Sequence, residues 1–331
     1  MKVAIIGAGA LGSLVAGLLA ISQEVSGNKD KAEIWLIGSK SATGHFETIQ
    51  TQGLKLKLTL NVLEQMPEEL AEKFASPIRN LNVTQNSAEA FPCELALVLV
   101  KSYSTSKAAQ DVSKFLALNG LALSLQNGLG NAEILAGGLG QARVAQGTTM
   151  LGAGLLEPGK VLFAGLNQTY VGADATFTTE KLKYLDFFKN QLERVNAPII
   201  LTEDVQSLVW GKLVVNCAIN PVAALLDITN GELLEKAATR QLMSEIAAEV
   251  VKVAQSKGIK LPFPASEAAN QAMQVAQQTS QNYCSMVQDL RRGRPTEIEA
   301  LNGAIVREAE KLGLNVPVNR TLTELIRARQ N

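Results

Sequence analysis

Histidine is almost missing from this chain, with His45 the only one in 331 residues. It lies in a stretch with Phe46, Ile49 and Gln50 that predicts a helix after a second strand, where a packing or surface role is expected. Any acid or base must then be Lys, Asp, Glu or Tyr. One histidine and scattered cysteines make a zinc hydrolase hard to assemble, so no metal is expected. Cys93, Cys217 and Cys284 are an odd set at wide spacings in apolar surroundings. They read as reduced core thiols of a cytoplasmic protein, which excludes a disulfide framework. Aromatic residues make up 5% of the chain, a poor stock of anchors for a protein interface. Neither sign of charge is in excess, because 31 basic residues face 31 acidic ones. No global field or lysine-arginine block recruits nucleic acid or an anionic membrane. The most apolar stretch, 205–225, is interrupted by a lysine and two asparagines and falls short of the ~18 to 20 continuous apolar residues of a membrane span. The start, Met1-Lys2-Val3-Ala4-Ile5-Ile6-Gly7, carries no signal-peptide cleavage pattern, so no export is expected. Small molecules are the expected partners, and the oligomeric state stays open, a homodimer included.

What is present is alternation. Residues 2–6 form a β-branched run that ends in Gly7-Ala8-Gly9-Ala10-Leu11-Gly12 and continues as an apolar helix, which is strand, tight turn, helix. Further strands are predicted at 33–37, 95–100 and 121–125 with helical stretches between them, the signature of an α/β fold with a parallel sheet and right-handed crossovers. Residues 54–58 predict one more strand, and the charged, proline-containing segment 64–77 reads as a surface excursion. From Arg143 hairpins take over: Glu157-Pro158-Gly159-Lys160 has Pro and Gly where a type II turn prefers them, so the sheet gains antiparallel strands. A helix near 179–194 and a strand at 198–201 close a first domain, 1–203. The remainder, 204–331, predicts an almost wholly helical second domain, with runs at 205–225, 236–257, 265–278, 284–291, 297–312 and 319–329.

Gly7, Gly9 and Gly12 satisfy G-x-G-x-x-G after a strand and before a helix, the context that gives this pattern its meaning. Gly7 allows the turn, Gly9 lets backbone approach a pyrophosphate, and Gly12 lets helix and strand pack closely. The helix N-terminus adds free N–H donors and the positive end of its dipole. The second strand ends in Ile37-Gly38-Ser39-Lys40, with no carboxylate for the ribose hydroxyls of NAD and with a hydroxyl and an ammonium for a 2′-phosphate. The expected cofactor is therefore NADP(H), with Ser39 and Lys40 as contacts. Lys101 ends the buried strand before it and could neutralise phosphate charge, whereas a solvated strand end is its plainer reading. Asn127, in Gln126-Asn127-Gly128, could bond ribose or nicotinamide, or belong to an ordinary turn.

Lys212, Asn216 and Asn220 follow one another at four-residue steps in 205–225. Each step advances only ~40° around a helix, so the three form a polar stripe ~12 Å long. Lysine is rarely buried without a partner, and burial lowers its pKa toward a range where it can exchange protons. A solvated stripe on an amphipathic helix is the alternative. Downstream, Asn282 and Ser285 bring small polar groups that could hold a polyoxygenated acid. Thr296-Glu297 precedes a predicted helix, with Thr296 read as N-cap and Glu299 at N3.

In order along the chain, the glycine motif, Lys101, Gln126-Asn127-Gly128, Trp210-x-Lys212-Leu213-x-x-Asn216, Asn220-Pro221, Asn230-Gly231-Glu232, Asn282-x-x-Ser285-Met286-x-Gln288-Asp289 and Thr296-Glu297-Ile298 resemble the 2-dehydropantoate 2-reductase (ketopantoate reductase) family. The resemblance implies an N-terminal Rossmann domain and a helical domain like that of 6-phosphogluconate dehydrogenases. The implied activity is NADPH reduction of ketopantoate to (R)-pantoate, on the way to pantothenate. It also implies Lys212 as general acid, Glu297 as partner of lysine and substrate, and Asn216, Asn220, Asn282 and Ser285 as substrate contacts. Lys101 and Asn127 would serve the cofactor. Ser39 and Lys40 depart from the family, which commonly has an arginine after the second strand. Two rivals remain in view: a reductase of another branched 2-oxo acid, and a non-enzymatic NADP-binding sensor.

Overall fold

The first strand sets up the layers of the N-terminal part. In β1 (Lys2–Ile6), Val3 and Ile5 point to one face and Ala4 and Ile6 to the other, and all four are buried. A strand apolar on both faces belongs in the middle of a parallel sheet covered by helices on each side. The computed structural model, which describes residues 1–27, 31–39, 43–173 and 176–330, has that arrangement. The other strands are β2 (Glu33–Ile37), β3 (Lys55–Leu58), β4 (Asn82–Thr84), β5 (Cys93–Val98), β6 (Leu116–Ser124), β7 (Val144–Thr149), β8 (Gly152–Glu157), β9 (Lys160–Gly165), β10 (Thr169–Gly172) and β11 (Ile199–Thr202). Eight of them form one sheet in the order β11-β10-β7-β6-β5-β1-β2-β4. It is parallel from β4 to β7, and β10 joins antiparallel to β7.

Val3, Ile5, Leu95, Leu97, Leu121 and Leu123 pack on one side with the helices Ala10–Val25 and Thr179–Glu193. Ala4, Ile6, Ala96 and Val98 pack on the other with Thr105–Phe115 and Asn131–Leu139. The 157–160 turn forms as expected, with Gly159 at φ +73°, but its hairpin β8–β9 sits with β3 in a separate three-stranded sheet. That small sheet approaches the first helix at Gly17, where a Cβ would stand 2.8 Å from Leu56. His45 has the packing role expected of it: its Nδ1 accepts from the Gly159 N–H at 2.9 Å, and Nε2 lies 3.0 Å from Ser13 Oγ. Burial lowers its pKa, and its two contacts bridge helix and hairpin.

Segment 64–77 is more than an excursion. Two short helices form, Leu60–Glu64 and Glu68–Lys73, and Val62 on the first, with Met66, Phe74 and Ile78 on the flanking turns, is buried in the main core. Within 64–77 itself only Met66 and Phe74 are buried, among exposed charged residues that hide them from a reading by pattern.

By its contacts the chain divides into two units, Met1–Gln126 with Asn131–Val205, and Asn127–Gly130 with Gln206–Asn331. The second unit is helical, built on Val205–Leu226, Ala237–Ser256, Ala268–Gln278, Ser285–Arg291, Asn302–Lys311 and Pro317–Arg329. Val205–Leu226 has enough length and hydropathy to cross a membrane, despite the polar residues that argued otherwise, yet 72% of its most apolar window is buried within the protein. Val214, Cys217, Ala218 and Ala223 on this helix are buried core.

The helix expected over 297–312 begins only at Asn302. Leu301 adopts φ −101°, ψ −108°, which is not helical, and the N–H groups of Ala300 and Leu301 both turn back to the Glu297 carbonyl. Thr296 therefore caps no helix; its hydroxyl accepts from the Ile298 N–H at 3.3 Å, a local turn. Glu299, expected at N3, instead pairs with Arg307 and Arg327.

Candidate active site

In the first unit the glycine loop leaves β1 between the ends of β2 and β5, where the crossovers from β1 diverge to either side. Ligands of open α/β sheets bind at such switch points. Gly7 has φ +116°, and a Cβ there would stand 2.7 Å from the backbone at Leu99 and Val100. A Cβ on Gly12 would lie 1.9 Å from the Gly7 carbonyl oxygen, so the close packing of helix on turn requires glycine. A Cβ on Gly9 would meet nothing within 4 Å. Gly9 is also the N-cap of Ala10–Val25, with no side-chain cap and no acidic residue in the first turn. The first helical N–H groups lack intrahelical acceptors, so the loop Gly7, Ala8, Gly9, Ala10, Leu11, Gly12 suits a pyrophosphate.

Gly38 joins this loop to β2, for a Cβ there would stand 3.3 Å from that of Ala8. Ser39 follows, exposed, and Lys40 lies outside the described residues. Lys101, partly buried, leads from β5 into a short 3-10 turn. Sequence reasoning passed over the clamp beside it. Gln126 Nε2 donates to the Val100 carbonyl at 2.9 Å and to Thr105 Oγ1 at 2.7 Å, and Thr105 Oγ1 donates to Asn131 Oδ1 at 2.8 Å. The signal was Gln126 itself, a long amide at a buried strand end.

The second unit holds the other candidates. Lys212 is partly buried, and burial of its ammonium pulls the pKa down to about 8, opposed by the Glu297 carboxylate, which raises it. Glu297 is 6% exposed. The sequence separates these residues by most of the domain, yet the Glu297 charge, on the turn that precedes the helix at Asn302, acts on the lysine. Asn216 and Asn220 continue the stripe, Asn216 half-buried and Asn220 buried. Asn282 and Ser285 are exposed, on a segment tied to Asn230-Gly231 by Asn230 N–H to the Asn282 carbonyl, 2.9 Å, and Gly231 N–H to the Ser280 carbonyl, 3.0 Å. The Cys284 thiol donates to the Asn220 carbonyl at 3.7 Å, which fastens this segment to the stripe. Asn127 belongs to a loop that clusters with this unit. Gly128, at φ +82°, would place a Cβ 2.2 Å from the Ala300 carbonyl oxygen, and the Leu129 N–H donates to that same oxygen at 2.9 Å.

A lysine poised near neutrality beside a buried carboxylate, with amides along one helix, can protonate and orient a small oxyacid. Comparison with known proteins shows the family. The model described as ketopantoate reductase PanE/ApbA matches residues 3–175, and that of its C-terminal domain matches 204–330. The 2-dehydropantoate 2-reductase of Pyrococcus horikoshii is 32% identical, covering 100% of this chain and 98% of that protein. That of Archaeoglobus fulgidus is also 32% identical, over 98% and 97%. Among solved structures, a PanE/ApbA family ketopantoate reductase from Ralstonia eutropha superposes with TM-score 0.83 at 29% identity, over 100% of this chain and 98% of that one. D-mandelate dehydrogenase with NADH and anilino(oxo)acetate does so with TM-score 0.84 at 25% identity, over the same shares. This chain belongs to the ketopantoate reductase PanE/ApbA family.

Proposed function

We propose that this chain reduces 2-dehydropantoate to (R)-pantoate with NADPH, a step of pantothenate biosynthesis. The observation that carries the reading is Lys212, partly buried and lowered to about 8, facing the charge of buried Glu297. When bound, a reduced nicotinamide supplies the hydride. Lys212 holds the ketone oxygen and delivers the proton there, a contribution of ~10² to 10⁴ in rate. Glu297 keeps the lysine charged against desolvation and accepts from the substrate hydroxyl. Asn216, Asn220, Asn282 and Ser285 orient the carboxylate without adding charge. Gly7 to Gly12 cradle the pyrophosphate, Lys101 answers phosphate charge, and Asn127 bonds ribose or nicotinamide.

NADPH is preferred in this reading because β2 runs into Gly38-Ser39-Lys40 with no carboxylate for a ribose 2′-hydroxyl. A second reading keeps the lysine and changes the 2-oxo acid, and it is favoured by the likeness to D-mandelate dehydrogenase. Steady-state oxidation of NADPH and of NADH with ketopantoate and with ketoisovalerate, which lacks the hydroxyl, decides among these. Higher kcat/KM for ketopantoate with NADPH is expected. Equal values for the two acids would favour the second reading, and cofactor binding without turnover on any 2-oxo acid would leave a sensor.

A further inference from the structure

The helix Val205–Leu226 contains Pro221 in its interior. Proline has no N–H, so the carbonyl of Cys217, four residues back, loses the donor that an unbroken helix would supply. Cys217 is fully buried, so water does not replace it. Asn302 does: its Nδ2 donates to the Cys217 carbonyl at 3.2 Å. Asn302 is itself fully buried and its Nδ2 also donates to Asn319 Oδ1 at 2.9 Å. Asn319 Nδ2 donates in turn to Glu249 Oε2 at 2.7 Å, and the Glu249 carboxylate also accepts the N–H groups of Val318 and Asn319 at 2.9 Å each. The amide that reaches the opened carbonyl is thus held from behind by two further helices.

The place of this contact matters. Lys212 and Asn216 precede the span 217–221 of the missing bond and Asn220 lies within it, so the backbone geometry held there sets the direction of Asn220 relative to the lysine. Asn302 also begins the helix that follows the Glu297 turn, and Gly303 N–H closes that turn on the Ile298 carbonyl at 2.9 Å. One buried side chain joins the carbonyl that Pro221 leaves open to the turn that carries Glu297.

We propose that Asn302 is a positioning residue: by donating to the carbonyl that Pro221 leaves open, it fixes Asn220 relative to Lys212 and Asn216 and holds the Glu297 turn against them. The proposal rests on the reductase reading of those residues. Asn302 acts through its N–H bonds alone, because its Oδ1 is buried and takes no protein donor among the described residues.

A double-mutant cycle tests it. Pro221→Ala restores an N–H at 221 and gives the Cys217 carbonyl a donor within the helix, so Asn302 becomes dispensable for that bond. Asn302→Ala in the otherwise native chain is expected to lower kcat/KM for ketopantoate by ~10- to 100-fold, through misplacement of the acid and amides. The dissociation constant for NADPH, measured by fluorescence, should not move. In the Pro221→Ala background the same substitution should cost far less. A general structural role would instead lower the unfolding temperature, leave the loss of kcat/KM equal in both backgrounds and weaken NADPH binding too; that result, or an unchanged kcat/KM, overturns the proposal. Should Asn302→Ala not fold, Asn302→Gln, which keeps both donors on a longer arm, is compared in the same two backgrounds and read the same way. If the native chain reduces no 2-oxo acid, the reductase reading fails by itself. The positioning is then read from hydrogen exchange, where the amides of 216–220 and 222 should exchange faster in Asn302→Ala and recover with Pro221→Ala, and unchanged exchange refutes it.

Discussion

The pH dependence of turnover tests the site most directly, because an ordinary lysine and the lysine described above predict different curves. Lys212 ionises near 8 in the chain without substrate, against 10.5 for an unperturbed lysine. At saturating NADPH the profile of kcat/KM for ketopantoate reports groups of the enzyme–cofactor complex before the acid binds, so it is the right readout. At that value the ammonium makes up about nine-tenths of the population at pH 7, half near pH 8 and about one-tenth at pH 9. The acid is the protonated form, so kcat/KM for ketopantoate should be level below about pH 7 and fall close to tenfold per unit beyond pH 8. An unshifted lysine would leave the curve flat to about pH 10. The cause of the shift supplies a second arm. Desolvation lowers the value and the Glu297 charge opposes it, so Glu297→Gln removes the opposition and the falling limb should move to lower pH. The height of that curve will also drop, since Glu297 touches substrate in this reading, but the position of the limb is independent of its height. The assay is NADPH oxidation at saturating cofactor, across about pH 6 to 10 at constant ionic strength. A curve level through pH 9.5, or a limb that Glu297→Gln leaves in place or moves upward, would refute the assignment of Lys212 as the acid.

Other substitutions give sharp expectations. Lys212→Ala should lower kcat by ~10² to 10⁴ while NADPH binding, read by fluorescence titration, stays unchanged; parallel loss of both would assign the lysine to the cofactor. Gly9→Ala and Gly12→Ala should behave oppositely. The first places a methyl in open space, so the unfolding temperature holds while NADPH binding weakens; the second drives a Cβ to 1.9 Å from the Gly7 carbonyl and should lower the unfolding temperature itself. Gly128→Ala meets the Ala300 carbonyl at 2.2 Å from a left-handed backbone, so differential scanning calorimetry should show a loss exceeding ~1 kcal/mol, and an unperturbed melting curve would mean that the loop can leave Ala300.

Much of this was legible in the chain itself, and the reasons are local. The glycine turn, the buried strands and the long apolar helix announce themselves through period and spacing, because hydrogen bonding and side-chain direction repeat over a few residues. The stripe of Lys212, Asn216 and Asn220 follows from helix geometry alone. The misses share one cause. The helix thought to begin at 297 starts at Asn302 because a turn folds back on Glu297, and Thr296 looked like a cap only while that helix was assumed. Segment 64–77 looked superficial because only Met66 and Phe74 within it are buried, among many exposed charged residues. The small sheet needs β3 and β9, far apart in sequence, to pair in parallel.

Sequence by itself determined the α/β alternation, the phosphate-binding turn and a lysine in need of a partner, since each depends on neighbours within a few residues. Only the tertiary structure shows the Glu297 charge acting on the buried lysine, Gly128 packed under Ala300, and the carbonyl opened by Pro221 answered by Asn302. Those pairings bring together groups distant along the chain, and their energies depend on burial and on distances that no local pattern encodes.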